Sequence, residues 1–156
     1  MTWVEEGIFA AGGEFLPEHW AEFASQTGLT AVLHLRPSAP ARFEGPAPGA
    51  FLWLPLETEE QAGLGDRWLA ACFVAQARGE GRRVLLHSSL GLHRARWPFV
   101  AFRILGGATA RGAVRQAEVP PWQSPYHTDL GVWEAFAREV RSRHREQGRT
   151  GRRRGG

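Results

Sequence analysis

The chain has 156 residues, 43% of them hydrophobic and 17 of them aromatic, enough to bury one core and too few for several domains. One cysteine excludes a disulfide framework, and no apolar run reaches the length of a bilayer span, so a soluble, cytoplasmic protein is expected. The formal charge of +3 describes the end of the chain: residues 138–156 carry eight arginines against Glu139 and Glu146, while residues 1–137 are net acidic.

In chain order, residues 7–11 predict an edge strand closed by Gly12 and Gly13. Residues 17–27 predict a helix with Trp20, Phe23 and Ala24 on one face, stopped by Gly28. Residues 31–35 form a second strand in which His34 reads as a satisfied core histidine, and a proline-rich loop over 37–49 leads to a strand over 51–54. Residues 64–77 predict a helix packing Trp68, Leu69, Cys72 and Phe73, with Cys72 as a small buried residue. After the turn at 79–81, the short apolar run 84–86 suits a buried central strand. The period then becomes helical near Arg94, with Ala95, Phe99, Phe102 and Gly106 inward, Arg96 and Arg103 outward, and Pro98 in the first turn. Residues 108–117 give a short helix. A last helix is expected from a Ser124 cap and Pro125, burying Val132, Trp133, Phe136, Ala137 and Val140. Alternating strands and helices argue α/β.

Between the central strand and its helix lies His87-Ser88-Ser89-Leu90-Gly91-Leu92-His93-Arg94. A strand, a loop of small residues and a helix N-terminus form an anion site from backbone N–H groups, and Arg94 adds a planar fork that matches two phosphate oxygens. The amides of residues 89–94 are therefore expected to face one concave site together with the Arg94 guanidinium. His93, Trp97, Trp122 and Tyr126 are candidate walls. Ser88 has no base placed by sequence to activate it, so a serine hydrolase is a poor fit.

The loop resembles the signature of the protein tyrosine phosphatases, in particular the dual-specificity branch: His-Cys, five residues, Arg. Ser88 stands where the family has its nucleophilic cysteine, with His87, Gly91 and Arg94 at matching positions. Weaker likenesses extend over residues 3–140: 3–13 resemble the opening strand and turn, 30–37 the next strand, and 113–136, with Pro120, Ser124 and Pro125, the stretch before the last helix. The resemblance implies a three-layer α/β fold with a central mixed, mostly parallel sheet flanked by helices, occupying residues 1–140 and followed by a basic tail over 141–156.

It also implies roles. Residues 88–94 would bind phosphate and His87 would orient the loop. The family's general-acid aspartate falls on Thr58, within Leu54-Pro55-Leu56-Glu57-Thr58; Glu57, Glu59 or Glu60 would have to replace it. Ala95 stands where the family has a hydroxyl. With nucleophile, acid and hydroxyl all altered, the expectation is a pseudophosphatase that binds a phosphate-containing ligand or phosphoprotein, needing no cofactor or metal. The alternatives are an active phosphatase represented by a Cys-to-Ser variant, working through a cysteinyl-phosphate, and an interaction protein with an empty loop. A monomer without membrane contact is expected. The tail reads as a solvated helix end passing into a disordered Gly/Arg terminus; having no aromatic residue after Phe136, it offers bases no stacking surface, so nucleic acid is not expected beyond charge attraction.

Overall fold

Along the central strands the side chains alternate between two apolar clusters, and that alternation sets the layers of the molecule. The computed structural model describes residues 1–122 and 126–154, with side chains as far as Arg149. Strand β5 (Arg83–Ser88) sends Val84 and Leu86 into one cluster and Leu85 into the other. Its neighbour β3 (Leu29–Leu35) divides Ala31, Leu33 and Leu35 from Val32 in the same way. Strands covered on both faces need apolar residues on both, which is why 31–35 and 84–86 read as nearly continuous runs.

With β1 (Thr2–Glu5), β2 (Ile8–Gly12) and β4 (Ala50–Leu54), they form a five-stranded sheet of order β1-β2-β5-β3-β4. The β2, β5, β3 and β4 strands run parallel, and β1 pairs antiparallel with β2. The strand expected at the edge, β2, is therefore interior. A tight turn through Gly7, at φ 79°, folds β1 onto its outer side, and β1 takes the edge with Trp3 exposed. One face carries α1 (Phe15–Glu18), α2 (Trp20–Thr27) and Phe43 of the loop over 37–49. The other face carries α3 (Leu64–Gly79), α4 (Arg96–Leu105), α5 (Ala110–Gln116) and α6 (Leu130–Arg154). This is the three-layer, mostly parallel arrangement that the sequence implied.

Several helical expectations need correction. The helix over 17–27 is two helices broken at His19, the second ended by Gly28 in the left-handed conformation at φ 73°. Helix α3 buries Arg67, Ala70, Ala71, Val74 and Ala77 rather than the bulky set; Leu69 is exposed, and Trp68, Cys72 and Phe73 are half-buried. Small side chains on that face let α4 pack closely against it. A 3-10 turn, Leu92–Ala95, precedes α4, and Arg96 is buried instead of facing solvent. Ser124 and Pro125 lie outside the described residues, and the last helix starts only at Leu130, where Asp129 accepts a hydrogen bond from the Gly131 amide at 3.0 Å. Of its expected inner face, Val132 is exposed while Trp133, Phe136, Ala137 and Val140 are buried. Helix α6 then runs on through the basic stretch to Arg154 without a break at 140–141. Among the described residues no helix is long and apolar enough to cross a membrane.

Candidate functional site

Parallel strands end together at the carboxyl edge of the sheet, where open α/β folds place their ligands, and the 87–94 loop leaves β5 there. Ser88 sits in register with Gly12 of β2 and Leu35 of β3 and is 2% exposed. Its carbonyl accepts from the amides of Gly13 at 3.0 Å and Gly91 at 3.3 Å, and its Oγ accepts from the Leu90 amide at 3.3 Å. The Ser89 amide donates to the Leu35 carbonyl and the Arg94 amide to the Gly91 carbonyl, both at 3.2 Å. The expectation that the amides of residues 89–94 all face one concave site is thus corrected at Ser89, Leu90, Gly91 and Arg94, which donate to the protein's own acceptors. Close packing explains the conformation: a Cβ on Gly12 would lie 2.3 Å from the Leu92 nitrogen, so the missing side chain lets the loop settle onto the end of β2.

His87 projects to the α1–α2 face beside His34, both fully buried. The Ala41 amide donates to His34 Nε2 at 3.0 Å, so His34 carries its proton on Nδ1, which lies 3.0 Å from His87 Nδ1. The ring of His87 then carries its proton on Nε2, which donates to the Gly13 carbonyl at 2.7 Å. Burial holds both histidines well below their ordinary pKa, His34 at about 3. With both ring nitrogens committed, His87 orients the end of β2 and cannot take a proton from Ser88.

Across the loop, the candidate acids divide. The Glu59 carboxylate accepts from Arg67 Nη1 at 3.1 Å, from Thr128 Oγ1 at 2.5 Å and from the Tyr126 hydroxyl. Arg67, 3% exposed, is stacked 4.3 Å from the Trp133 ring centroid and 5.6 Å from that of Trp97. Burial, and then the charge of Glu59, pushes the Tyr126 phenol far up. Glu59 is accordingly a structural carboxylate, not a proton donor to the site. The Glu57 side chain is exposed, and its carbonyl accepts from Arg94 Nη1. Thr58 precedes a 3-10 turn, Glu59–Gln61, and the Glu57 amide donates to Gln61 Oε1 at 2.7 Å. Glu60 is exposed, and its own amide and the Thr58 hydroxyl hold its carboxyl below the usual range, which favours the ionised form over a proton donor.

Arg94, although exposed, therefore bridges the loop to the segment carrying Thr58. Beneath that bridge opens a cleft of about 310 Å³ lined by Thr58, Glu60, His93, Arg94, Arg96 and His127, among others. Arg96 lies 4.8 Å from the Tyr126 ring centroid, donates to the Ala117 carbonyl at 3.3 Å, and has Nη2 3.5 Å from His93 Nδ1. Of the expected walls, Tyr126 and His93 line the cleft, while Trp97 and Trp122 belong to the core. Ala95 is fully buried and brings no hydroxyl to it. Sequence reasoning missed Arg96, His127 and the Arg67–Glu59–Tyr126–Thr128 network. The presence of Arg96 two residues after Arg94 was the one available signal; the network joins segments with no common periodicity.

No protein-family model and no curated protein matches the sequence. Solved structures do match. Human DUSP28 superposes with a TM-score of 0.65 at 17% identity, covering 94% of this chain and 99% of that one. DUSP15 gives 0.68 at 18%, covering 94% and 95%. The human tyrosine phosphatase-like serine/threonine/tyrosine-interacting protein gives 0.68 at 14%, covering 92% and 97%. The likeness is one of fold: the chain has the fold of the dual-specificity phosphatases.

Proposed function

We propose that this chain, built on the dual-specificity phosphatase fold, binds phosphoresidues without hydrolysing them. The observation that carries the proposal is the chemistry beside Arg94. The Arg94 and Arg96 guanidiniums and the His93 and His127 rings line the cleft beside the carboxylates of Glu59 and Glu60, and no lining residue carries a thiol to attack phosphorus. Ser88, at the position of the family's cysteine, is covered and has no base; Glu59 is consumed by Arg67, Tyr126 and Thr128. A phosphate would take the Arg94 fork in exchange for the Glu57 carbonyl, a stronger, charge-assisted contact. Four loop amides already have partners, so side chains make the first contacts and the amides join only if the loop turns them outward.

Calorimetric titration with orthovanadate and with phosphopeptides beside their unphosphorylated forms tests the reading. Phosphorylated forms should bind selectively, and Arg94→Ala should weaken binding by about 1.5–3 kcal/mol. Turnover of an aryl phosphate should be undetectable. Equal affinity of the two proteins would remove Arg94 from the site, and turnover by the unaltered chain would refute the non-hydrolysing reading.

A further inference from the structure

We infer that the outer side of α6 and the groove beside it dock an acidic peptide segment of a partner protein, which inserts an apolar side chain between α4, α5 and α6. Positions 138, 141, 145 and 149 fall on one side of a helix, and Arg138, Arg141, Arg145 and Arg149 are all exposed. Among the described residues none of these four is in an ion pair. Arg143, on the opposite side, is by contrast tied to Glu139 at 2.9 Å and lies 4.6 Å from the Trp68 ring centroid. Like charges spaced along one helix face repel in the free protein, and carboxylates laid along the stripe would relieve that repulsion.

Beside the stripe is a groove of about 390 Å³, larger in volume than the cleft at Arg94 and sharing no lining residue with it. Ile104, Leu105, Ala137 and Val140 give it an apolar floor; Arg138 and Arg141 stand on its α6 bank with Glu134 and His144. An apolar floor beneath an arginine rim is complementary to a segment that alternates acidic and apolar side chains. Nucleic acid fits less well, because phosphates would leave the floor uncovered and none of the groove's lining residues offers an aromatic platform for a base beyond the His144 imidazole. A bilayer fits less well too, since the apolar positions are recessed in the groove instead of standing on an exposed helix face.

The full chain would be titrated at low salt, by fluorescence anisotropy, with a labelled peptide of repeating Glu-Leu-Asp-Phe, with one of equal charge repeating Glu-Ser-Asp-Ser, and with a short DNA duplex. The first peptide should bind about tenfold more tightly than the second and more tightly than the duplex. The double variant Arg138→Glu/Arg141→Glu should weaken it by about tenfold or more while the chain still unfolds cooperatively on heating, because neither side chain has an ion-pair partner to lose. Filling the groove with Ala108→Phe should weaken the Leu/Phe peptide and leave the serine peptide unaffected. Equal affinity for the two peptides, tighter binding of the duplex, indifference to charge reversal, or no peptide binding at all would each overturn the proposal.

Discussion

Glu59 is the residue on which one wall of the cleft depends. It ties the segment after β4 to α3 through Arg67 and to the chain before α6 through Tyr126 and Thr128. A buried ion pair gains little over an apolar pair of the same shape, but removing one partner strands the other charge. Glu59→Gln should therefore cost about 3–5 kcal/mol in urea unfolding, because Arg67 stays buried without its counter-charge. A cost below about 1 kcal/mol would mean that water or a rearranged neighbour already neutralises Arg67. Ser88 poses a different question, what a thiol at that position would do. Loss of a nucleophile removes on the order of a millionfold in rate from a hydrolase, and loss of a general acid about 10²–10⁴. Ser88→Cys should give a measurable but poor phosphatase, since Arg94 remains while much of the amide field that would lower the thiol pKa is turned inward. Adding Thr58→Asp should help alkyl phosphates more than aryl phosphates, whose leaving oxygen needs less protonation. Full activity from Ser88→Cys alone would show that an acid is already in place, and the chain would then be an ordinary phosphatase altered at one position.

At the scale of elements, the end of β2 and the loop after β5 act as one unit. Gly12 makes room for Gly91 and Leu92, Gly13 bonds to both Ser88 and His87, and Gly91 itself sits at φ 131°, where L side chains rarely go. Gly12→Ala would place a Cβ 2.3 Å from the Leu92 nitrogen, so backbone must move. The expected result is a loss of about 1–3 kcal/mol in thermal or urea unfolding together with weaker vanadate binding. An unchanged stability would mean that the two elements are not in close contact. The inner strands were legible from sequence because burial on both faces forces an apolar run. The outermost strand β1 was not, since it is short, ends in Glu5, and owes its place to a turn through Gly7. Helix α3 was misjudged because aromatic bulk outweighs alanines in any count of apolar residues, and an arginine on the inner face is rejected by the same count. The His87–Arg94 loop was legible because its parts are contiguous. The cleft that faces it was legible in part: Thr58, Glu59, Glu60, His93, Arg94 and Tyr126 line it as candidates the sequence offered, whereas Arg96, His127 and the pairing of Glu59 with Arg67 depend on segments that only the folded chain brings together.

For the whole molecule, the His34–His87 pair links the sheet's central register to pH. These two rings lie on adjacent parallel strands, between Phe43, Phe51 and the backbone of Ala41 and Gly13. Each hydrogen-bond partner fixes the next, so the line from Ala41 to Gly13 is satisfied only while both rings are neutral. A third proton on the pair would put two donors face to face at 3.0 Å. Arg36 nearby opposes protonation of His34, and Glu14 favours it at His87, yet burial is the largest influence on both and lowers both. Because the folded pKa lies below the unfolded value near 6.5, the pair's contribution is complete above about pH 6.5 and is lost as pH falls toward the His34 value of about 3. Each proton taken up only on unfolding costs about 1.4 kcal/mol per pH unit, so one proton removes ~2 kcal/mol between pH 6.5 and pH 5, a sizeable share of a typical total of about 5–15 kcal/mol. Urea unfolding across that interval should show this loss. His34→Gln, whose amide can accept from Ala41 and donate to His87, should flatten the slope by about one proton while the carboxylate contributions at lower pH stay as they were. Parallel curves for the two proteins would mean that His34 takes up no proton on unfolding, and the neutral, directional hydrogen-bond line through the sheet would have to be abandoned.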